Sequence, residues 1–258
     1  MANEFLNNIF NLKGKVVVVT GACGQLGTAM CKHFKNAGSI VIGLDMHIPT
    51  DVDIASEYQE LDIREGASVK GVFSSIFKKY GQMDILVNNA GVSTFEPFED
   101  RAEEQFDWVM DVNLKGTFNC IQKYVNLFDQ YAQKKGSIIN IASMYGMISP
   151  DFRIYTDCDR KNSEVYGATK AGIIQMSKYF AVHLAERNIR CNSVSPGGVF
   201  NPESPQGEGF RENYGHRCPM NRMADASEIA GAVLYLAGEL ASYTTGQNIA
   251  VDGGMTSW

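Results

Sequence analysis

The chain has 258 residues, with 23 Lys and Arg against 29 Asp and Glu, a formal net charge of −6, and hydrophobic (45%) and charged (20%) shares typical of a globular fold. An acidic balance with scattered cations excludes a global positive field for nucleic acid or an anionic membrane. The aliphatic runs are short, as in residues 16–19, and none approaches the ~20 apolar residues of a membrane span.

The first fifteen residues, MANEFLNNIFNLKGK, lack a basic head and a long apolar core, so no secretion signal is expected. Cys23, Cys31, Cys120, Cys158, Cys191 and Cys218 are dispersed and never form CxxC, which points to reduced thiols and a cytoplasmic protein rather than a disulfide framework or zinc site. His33, His47, His183 and His216 have no metal-ligand spacing either.

In chain order, β-branched runs predict strands at 15–20, 39–44, 57–61, 83–88, 137–142, 189–194 and 247–251. Several are apolar on both alternations, as strands buried on both faces of a parallel sheet are. Helical periodicity falls between them at 25–37, 65–80, 99–131, 163–187 and 226–239. Such alternation predicts an α/β fold with a doubly wound parallel sheet. Gly38, Gly81 and Gly136 stand just before strands, where glycines that end helices belong. No linker or repeat divides residues 1–258, so one domain is expected.

Residues 144–162 and 196–222 exceed ordinary connections and are rich in Pro, Gly and aromatic residues. Both leave carboxyl ends of strands, where open α/β sheets bind ligands, and are read as walls of a substrate site. A tolerated surface insertion is the competing reading, more for the first than for the second.

The sequence Thr20-Gly21-Ala22-Cys23-Gly24-Gln25-Leu26-Gly27 follows the first strand and opens a helix. Gly21 allows a tight turn, Gly24 close approach to a pyrophosphate, and Gly27 close helix–strand packing, while the helix start at Gln25 and Leu26 offers free N–H groups. Asp45 ends the second strand 24 residues after Gly21, where a carboxylate can accept a ribose diol and repel a 2′-phosphate. Met46 and His47 follow with no adjacent Arg, so NAD is expected over NADP. Asp62 and Ile63 are candidates for adenine contacts, and Asn89, Ala90 and Gly91 for the cofactor ribose. Either segment is also readable as an ordinary turn.

Tyr166 and Lys170 are four apart on one helix face. An ammonium within a few ångströms stabilises a phenolate by up to ~4 kcal/mol at an effective dielectric of 20, enough to make a tyrosine a working base. Ser143, just past the fifth strand, can hold a substrate oxygen against Tyr166. Asn113 is expected to bend its helix through the side-chain amide and connect Lys170 to solvent. Alone, Tyr-x-x-x-Lys is common on solvated helices; the ordered set is what carries weight.

That set resembles the short-chain dehydrogenase/reductase family, from Lys15 to Gly254. The resemblance implies a seven-stranded Rossmann sheet, NAD(P), and an Asn113, Ser143, Tyr166 and Lys170 tetrad, with Tyr166 and Lys170 also against the cofactor. It further implies nicotinamide contacts from Pro196, Gly197 and Val199, a lid after them, and a homotetramer or dimer formed through the helices at 99–131 and 163–187 and the C-terminal strand. Two departures stand out. The glycine pattern is TGxxGxxG rather than TGxxxGxG, with Gln25 at the expected middle glycine, as in the longer sugar-nucleotide-modifying branch, whose separate substrate domain has no room before Trp258. Ser143 and Tyr166 are also 23 residues apart, about ten more than in most members. A narrower likeness, over 144–175 and the C-terminal segment, is to members named flagellin-modification protein A, and implies a sugar-type substrate, phosphorylated or nucleotide-linked.

Six cations occupy the two walls: Arg153, Arg160, Lys161, Arg211, Arg217 and Arg222. One or two binding an anionic sugar is the sharp reading; pairing with neighbours such as Asp151, Asp157, Asp159, Glu208 and Glu212 is the bland one. Tyr145, Phe152, Tyr155 and Phe210 can stack on a pyranose or merely anchor their loops. Tyr145, Arg153, Tyr155 and Arg211 are the named substrate candidates. The leading expectation is a small-molecule, NAD-dependent oxidoreductase. The alternatives are a sugar epimerase or dehydratase that recycles its NAD, and a non-catalytic NAD-binding protein.

Overall fold

The computed structural model describes residues 10–50, 53–157 and 160–258. The N-terminal stretch examined for a secretion signal, and Cys158 and Asp159 in the first wall, lie outside the described residues.

The valines of β1 (Val16–Thr20) fix the middle of the sheet because both of their alternations are buried. Val16 and Val18 enter one core, Val17 and Val19 the other. Around them lie β2 (Ile40–Asp45), β3 (Glu57–Glu60), β4 (Ile85–Asn88), β5 (Gly136–Ile141), β6 (Ile189–Pro196) and β7 (Asn248–Val251). All pairs are parallel, and the order is β3-β2-β1-β4-β5-β6-β7. The expected seven-stranded doubly wound sheet in one domain is therefore present. Strand order reverses between β1 and β4, opening a crevice at their carboxyl ends.

On one face α1 (Gln25–Asn36) supplies Met30, Cys31 and Phe34 to the core. The other face is covered in part by α2 (Gly66–Tyr80), with Val69, Phe73, Ile76 and Phe77 buried. The single helix expected at 99–131 is instead α3 (Glu103–Val109), a π-helical segment (Met110–Gly116) and α4 (Thr117–Gln130). The disturbance centres on Asn113, whose carbonyl accepts the Thr117 hydroxyl at 2.7 Å while its amide bonds outside the helix. Next come α5 (Glu164–His183), α6 (Glu208–Arg217) and α7 (Ala226–Ala237). α6 lies inside the expected wall at 196–222 and has no apolar stripe to mark it as a helix, burying only Tyr214 and Gly215.

Gly81 ends α2 in the left-handed conformation and Gly38 also has positive φ, as expected. Gly136 does not end a helix; it opens β5, where an added Cβ would lie 2.2 Å from the Tyr124 hydroxyl oxygen. Gly27 is tighter still, because a Cβ there would lie 2.0 Å from the Gly21 carbonyl oxygen and 2.8 Å from Ala22 Cα.

Gly27→Ala must therefore push α1 off the end of β1. It is expected to lower the free energy of unfolding by about 1–3 kcal/mol and to weaken dinucleotide binding. Urea unfolding and cofactor titration check this; unchanged midpoint and affinity would count against such close packing.

Candidate active site

β1 ends at Thr20, and Gly21 turns the chain with φ +63°. The turn is fastened to the end of β4: Asn89 Nδ2 donates to the carbonyls of Thr20 (3.0 Å) and Gly21 (2.9 Å), and the N–H groups of Asn89 and Ala90 donate to Thr20 Oγ1. Asn89 is thus a brace for the glycine loop. α1 then begins at Gln25 with no side-chain cap and no acidic residue in its first turn. A Cβ at Gly24 would meet nothing closer than 3.6 Å, so the loop backbone stands open to the crevice. Uncapped N–H groups at a positive helix end fit a pyrophosphate.

A cavity of about 790 Å³ runs along this crevice. Apart from Gly27, which packs beneath it, every expected cofactor residue lines it: Gly21, Gly24, Gln25 and Leu26; Asp45, Asp62 and Ile63; Asn89, Ala90 and Gly91; Tyr166 and Lys170; and Pro196, Gly197 and Val199. Cys23, His47, Val92 and Val112, outside the expected cofactor set, also line it. Asp45 is held by the N–H groups of Cys23 (2.9 Å) and Met46 (2.8 Å), one on each carboxylate oxygen. Asp62 is gripped by Arg64 at 2.6 Å, and this ion pair holds its carboxyl below the ordinary range.

At the other end of the cavity, Lys170 is 4% exposed and its Nζ donates to the Ile141 carbonyl at 2.8 Å. It sits 5.5 Å from the Tyr166 ring centre. Burial pushes the Tyr166 phenol up, and a hydrogen bond with Ser143 opposes that rise. The expected net depression by the ammonium is thus not met in the protein alone, because desolvation penalises charge on both partners. Lys170 itself is lowered to about 8 by burial.

Asn113 is fully buried. Its Oδ1 accepts the Val92 N–H (2.8 Å), and its Nδ2 donates to the Val92 carbonyl (2.9 Å) and Thr169 Oγ1 (3.1 Å). Its helix is π-helical at Asn113, and the side-chain amide fixes the cavity wall at Val92. Arg101 adds a second brace, bridging Glu96 and Glu164, two residues before Tyr166.

A second cavity, about 590 Å³, shares Gln25, Ser143, Tyr166, Gly197 and Val199 with the first. Its walls come from both long segments. The first is tied to α6 by the Phe210 N–H on Asp157 Oδ2 (3.1 Å) and by Asn213 Nδ2 on Thr156 Oγ1 (2.9 Å). Met144, Ile154, Tyr214, Cys218 and Met255 form a small core beneath both. Tyr145 and Tyr155 line the cavity; Arg153 does not, being exposed and paired with Asp151 at 2.7 Å. Arg211 lies outside it too, over the Phe200 ring. Asp151, two residues before Arg153, and the ring near Arg211 give both cations closer partners than the cavity does.

Because an unfolded lysine titrates near 10.5, the cost of the buried Lys170 ammonium is full below pH 8 and fades as pH rises toward 10.5. Lys170→Met is expected to raise unfolding stability at pH 7 by about 1–3 kcal/mol, with the gain shrinking by pH 10. Urea titrations at both pH values check this, and a variant less stable at pH 7 would contradict it.

Comparison with known proteins agrees with this geometry. A family model described as enoyl-(acyl carrier protein) reductase matches residues 21–256. A 3-oxoacyl-(acyl-carrier-protein) reductase of Thermotoga maritima is 36% identical over 95% of this chain and 98% of its own. An NADH-dependent L-xylulose reductase of Ambrosiozyma monospora is 33% identical over 96% of this chain and 97% of its own. The crystal structure of a short chain dehydrogenase from Leptospira borgpetersenii with bound NAD+ superposes with a TM-score of 0.89, at 38% identity, covering 97% of this chain and 95% of that one. With its glycine-loop crevice and its Ser143, Tyr166 and Lys170 cluster, the chain belongs to the short-chain dehydrogenase/reductase family, enzymes that use NAD(P) for oxidation and reduction.

Proposed function

We propose that this enzyme transfers hydride between NAD and a secondary alcohol or ketone of a polar, sugar-type substrate. The observation that carries the reading is the position of Ser143 and Tyr166, which line both the dinucleotide crevice and the second cavity. When bound, the dinucleotide supplies the hydride acceptor or donor. In the oxidative direction Tyr166 Oη takes the proton from the substrate hydroxyl; in reduction it returns one. Ser143 holds the substrate oxygen, and Lys170, fixed on Ile141, presents its charge 5.5 Å from the centre of the Tyr166 ring. Asn113 positions the Val92 wall.

Asp45 supports NAD over NADP. A carboxylate stands at the adenosine end, and no Arg or Lys among the described residues lines the crevice there. The bound NAD+ of the Leptospira structure and the NADH of the xylulose reductase point the same way. Asp157, Arg160, Asn162, Asn201 and Ser204 give the second cavity a polar wall suited to hydroxyl groups rather than an acyl chain. The glycine pattern favours one other reading, an epimerase or dehydratase that re-oxidises its cofactor within each turnover. Among the described residues no helix is long and apolar enough to cross a membrane.

Absorbance at 340 nm with a panel of sugars and polyols tests the reading. Net NADH formation is expected; product without net NADH would favour the internal redox cycle, and turnover of 3-oxoacyl thioesters alone would overturn the sugar assignment. Tyr166→Phe is expected to lower kcat by about 100-fold or more, read at saturating NAD. NAD+ should bind more tightly than NADP+, and Asp45→Ala should narrow the gap, as titration of both cofactors will show. Exposed Phe106, Trp108, Phe118, Tyr179 and Val182 on α3, α4 and α5 support a homo-oligomer. Sedimentation is expected to give a tetramer or dimer, and a monomer would exclude it.

A further inference from the structure

The six cations of the two walls part company in the structure. Arg153 and Arg217 share Asp151 at 2.7 and 3.7 Å, and Arg222 pairs with Glu228 at 2.7 Å. Lys161 and Arg211 lie over the rings of Phe152 and Phe200. Arg160 alone among them lines the second cavity, together with Tyr166.

Arg160 is also held in place. Its guanidinium carbon stands 3.7 Å from the centre of the Phe95 ring. A guanidinium lying this close to an aromatic ring is oriented while its N–H edges stay available. The chain beside it is pinned, with the Lys161 N–H on the Phe95 carbonyl (3.2 Å) and the Ser93 hydroxyl on Asn162 Oδ1 (3.3 Å). That bond leaves the Asn162 amide N–H groups without an acceptor among the described residues, and Asn162 lines the same cavity. Arg160 likewise has no carboxylate partner among the described residues. The acid on this wall, Asp157, is engaged through Oδ2 by the Phe210 N–H in the first turn of α6.

We propose that Arg160 and Asn162 form the recognition site for an anionic group, a carboxylate or a phosphate, on a hydroxylated sugar-sized substrate whose reacting carbon lies at Tyr166. The inference rests on the second cavity being the substrate site of the proposed oxidoreductase. Arg160 supplies charge and a forked donor, Asn162 a further donor, and the remaining Asp157 oxygen an acceptor for a hydroxyl.

The test uses the NAD-saturated enzyme with aldohexoses, their 6-phosphates and the matching uronic acids at one ionic strength. Binding is read by calorimetry and turnover at 340 nm. Either the phosphates or the acids are expected to bind about tenfold or more tightly than their neutral partners, identifying which anion is read. Arg160→Gln should reduce that preference to about threefold or less while leaving NAD affinity unchanged, and Arg160→Lys should restore part of it. Equal affinity for charged and neutral sugars, no binding by any charged member, or a preference that survives Arg160→Gln overturns the proposal. Arg160-dependent binding without hydride transfer would sustain the anchor and overturn the oxidoreductase reading on these sugars. Oxidation of neutral and charged members with equal kcat/KM would do the reverse.

Discussion

One hydrogen bond organises the chemistry of this fold: the donation from Lys170 Nζ to the carbonyl of Ile141, made in the interior. It ties the middle of α5 to the last residue of β5. Two residues beyond Ile141 comes Ser143; one helical turn before Lys170 comes Tyr166. Fixing the lysine therefore brings serine and tyrosine to the same place, between the two cavities. The ammonium is costly there, since burial lowers it to about 8. The same burial keeps water from competing for the atoms it orients.

Around that bond the other braces have separable tasks. Thr20 and Asn89 fix the glycine turn to β4, Asn113 fixes Val92, and Arg101 spans Glu96 and Glu164. The first long wall and α6 are joined by Asp157, Asn213 and a small core of Met144, Ile154 and Tyr214. The inserted residues between Ser143 and Tyr166 thus form one structural unit with the segment after β6, and the second cavity owes its shape to both.

Much of this was legible in the sequence because it depends on local pattern. Alternation in 16–19 placed the central strand, the glycine spacing placed the crevice, and the four-residue interval placed Tyr166 over Lys170. What escaped depends on tertiary context. α6 carries too little apolar periodicity to announce itself. A bend at Asn113 was expected, but its extent over Met110–Gly116 depends on bonds that Asn113 makes to a distant loop. Arg153 and Arg211 are indistinguishable from Arg160 by residue type, and only packing shows which faces the cavity. The phenol of Tyr166 is raised because enclosure is a property of the whole site, invisible in a pair of residues.

Gln25 occupies the place of the expected middle glycine, and its Nε2 donates to the Phe200 carbonyl at 2.5 Å, at the root of the segment that leads to α6. The glycine loop and the segment that walls the second cavity are consequently joined by one mechanical strut. Grafting a glycine in place of Gln25 would cut that strut, so redesign of cofactor preference is better confined to the strand end at Asp45, whose carboxylate, among the described residues, meets the loop only at the Cys23 N–H.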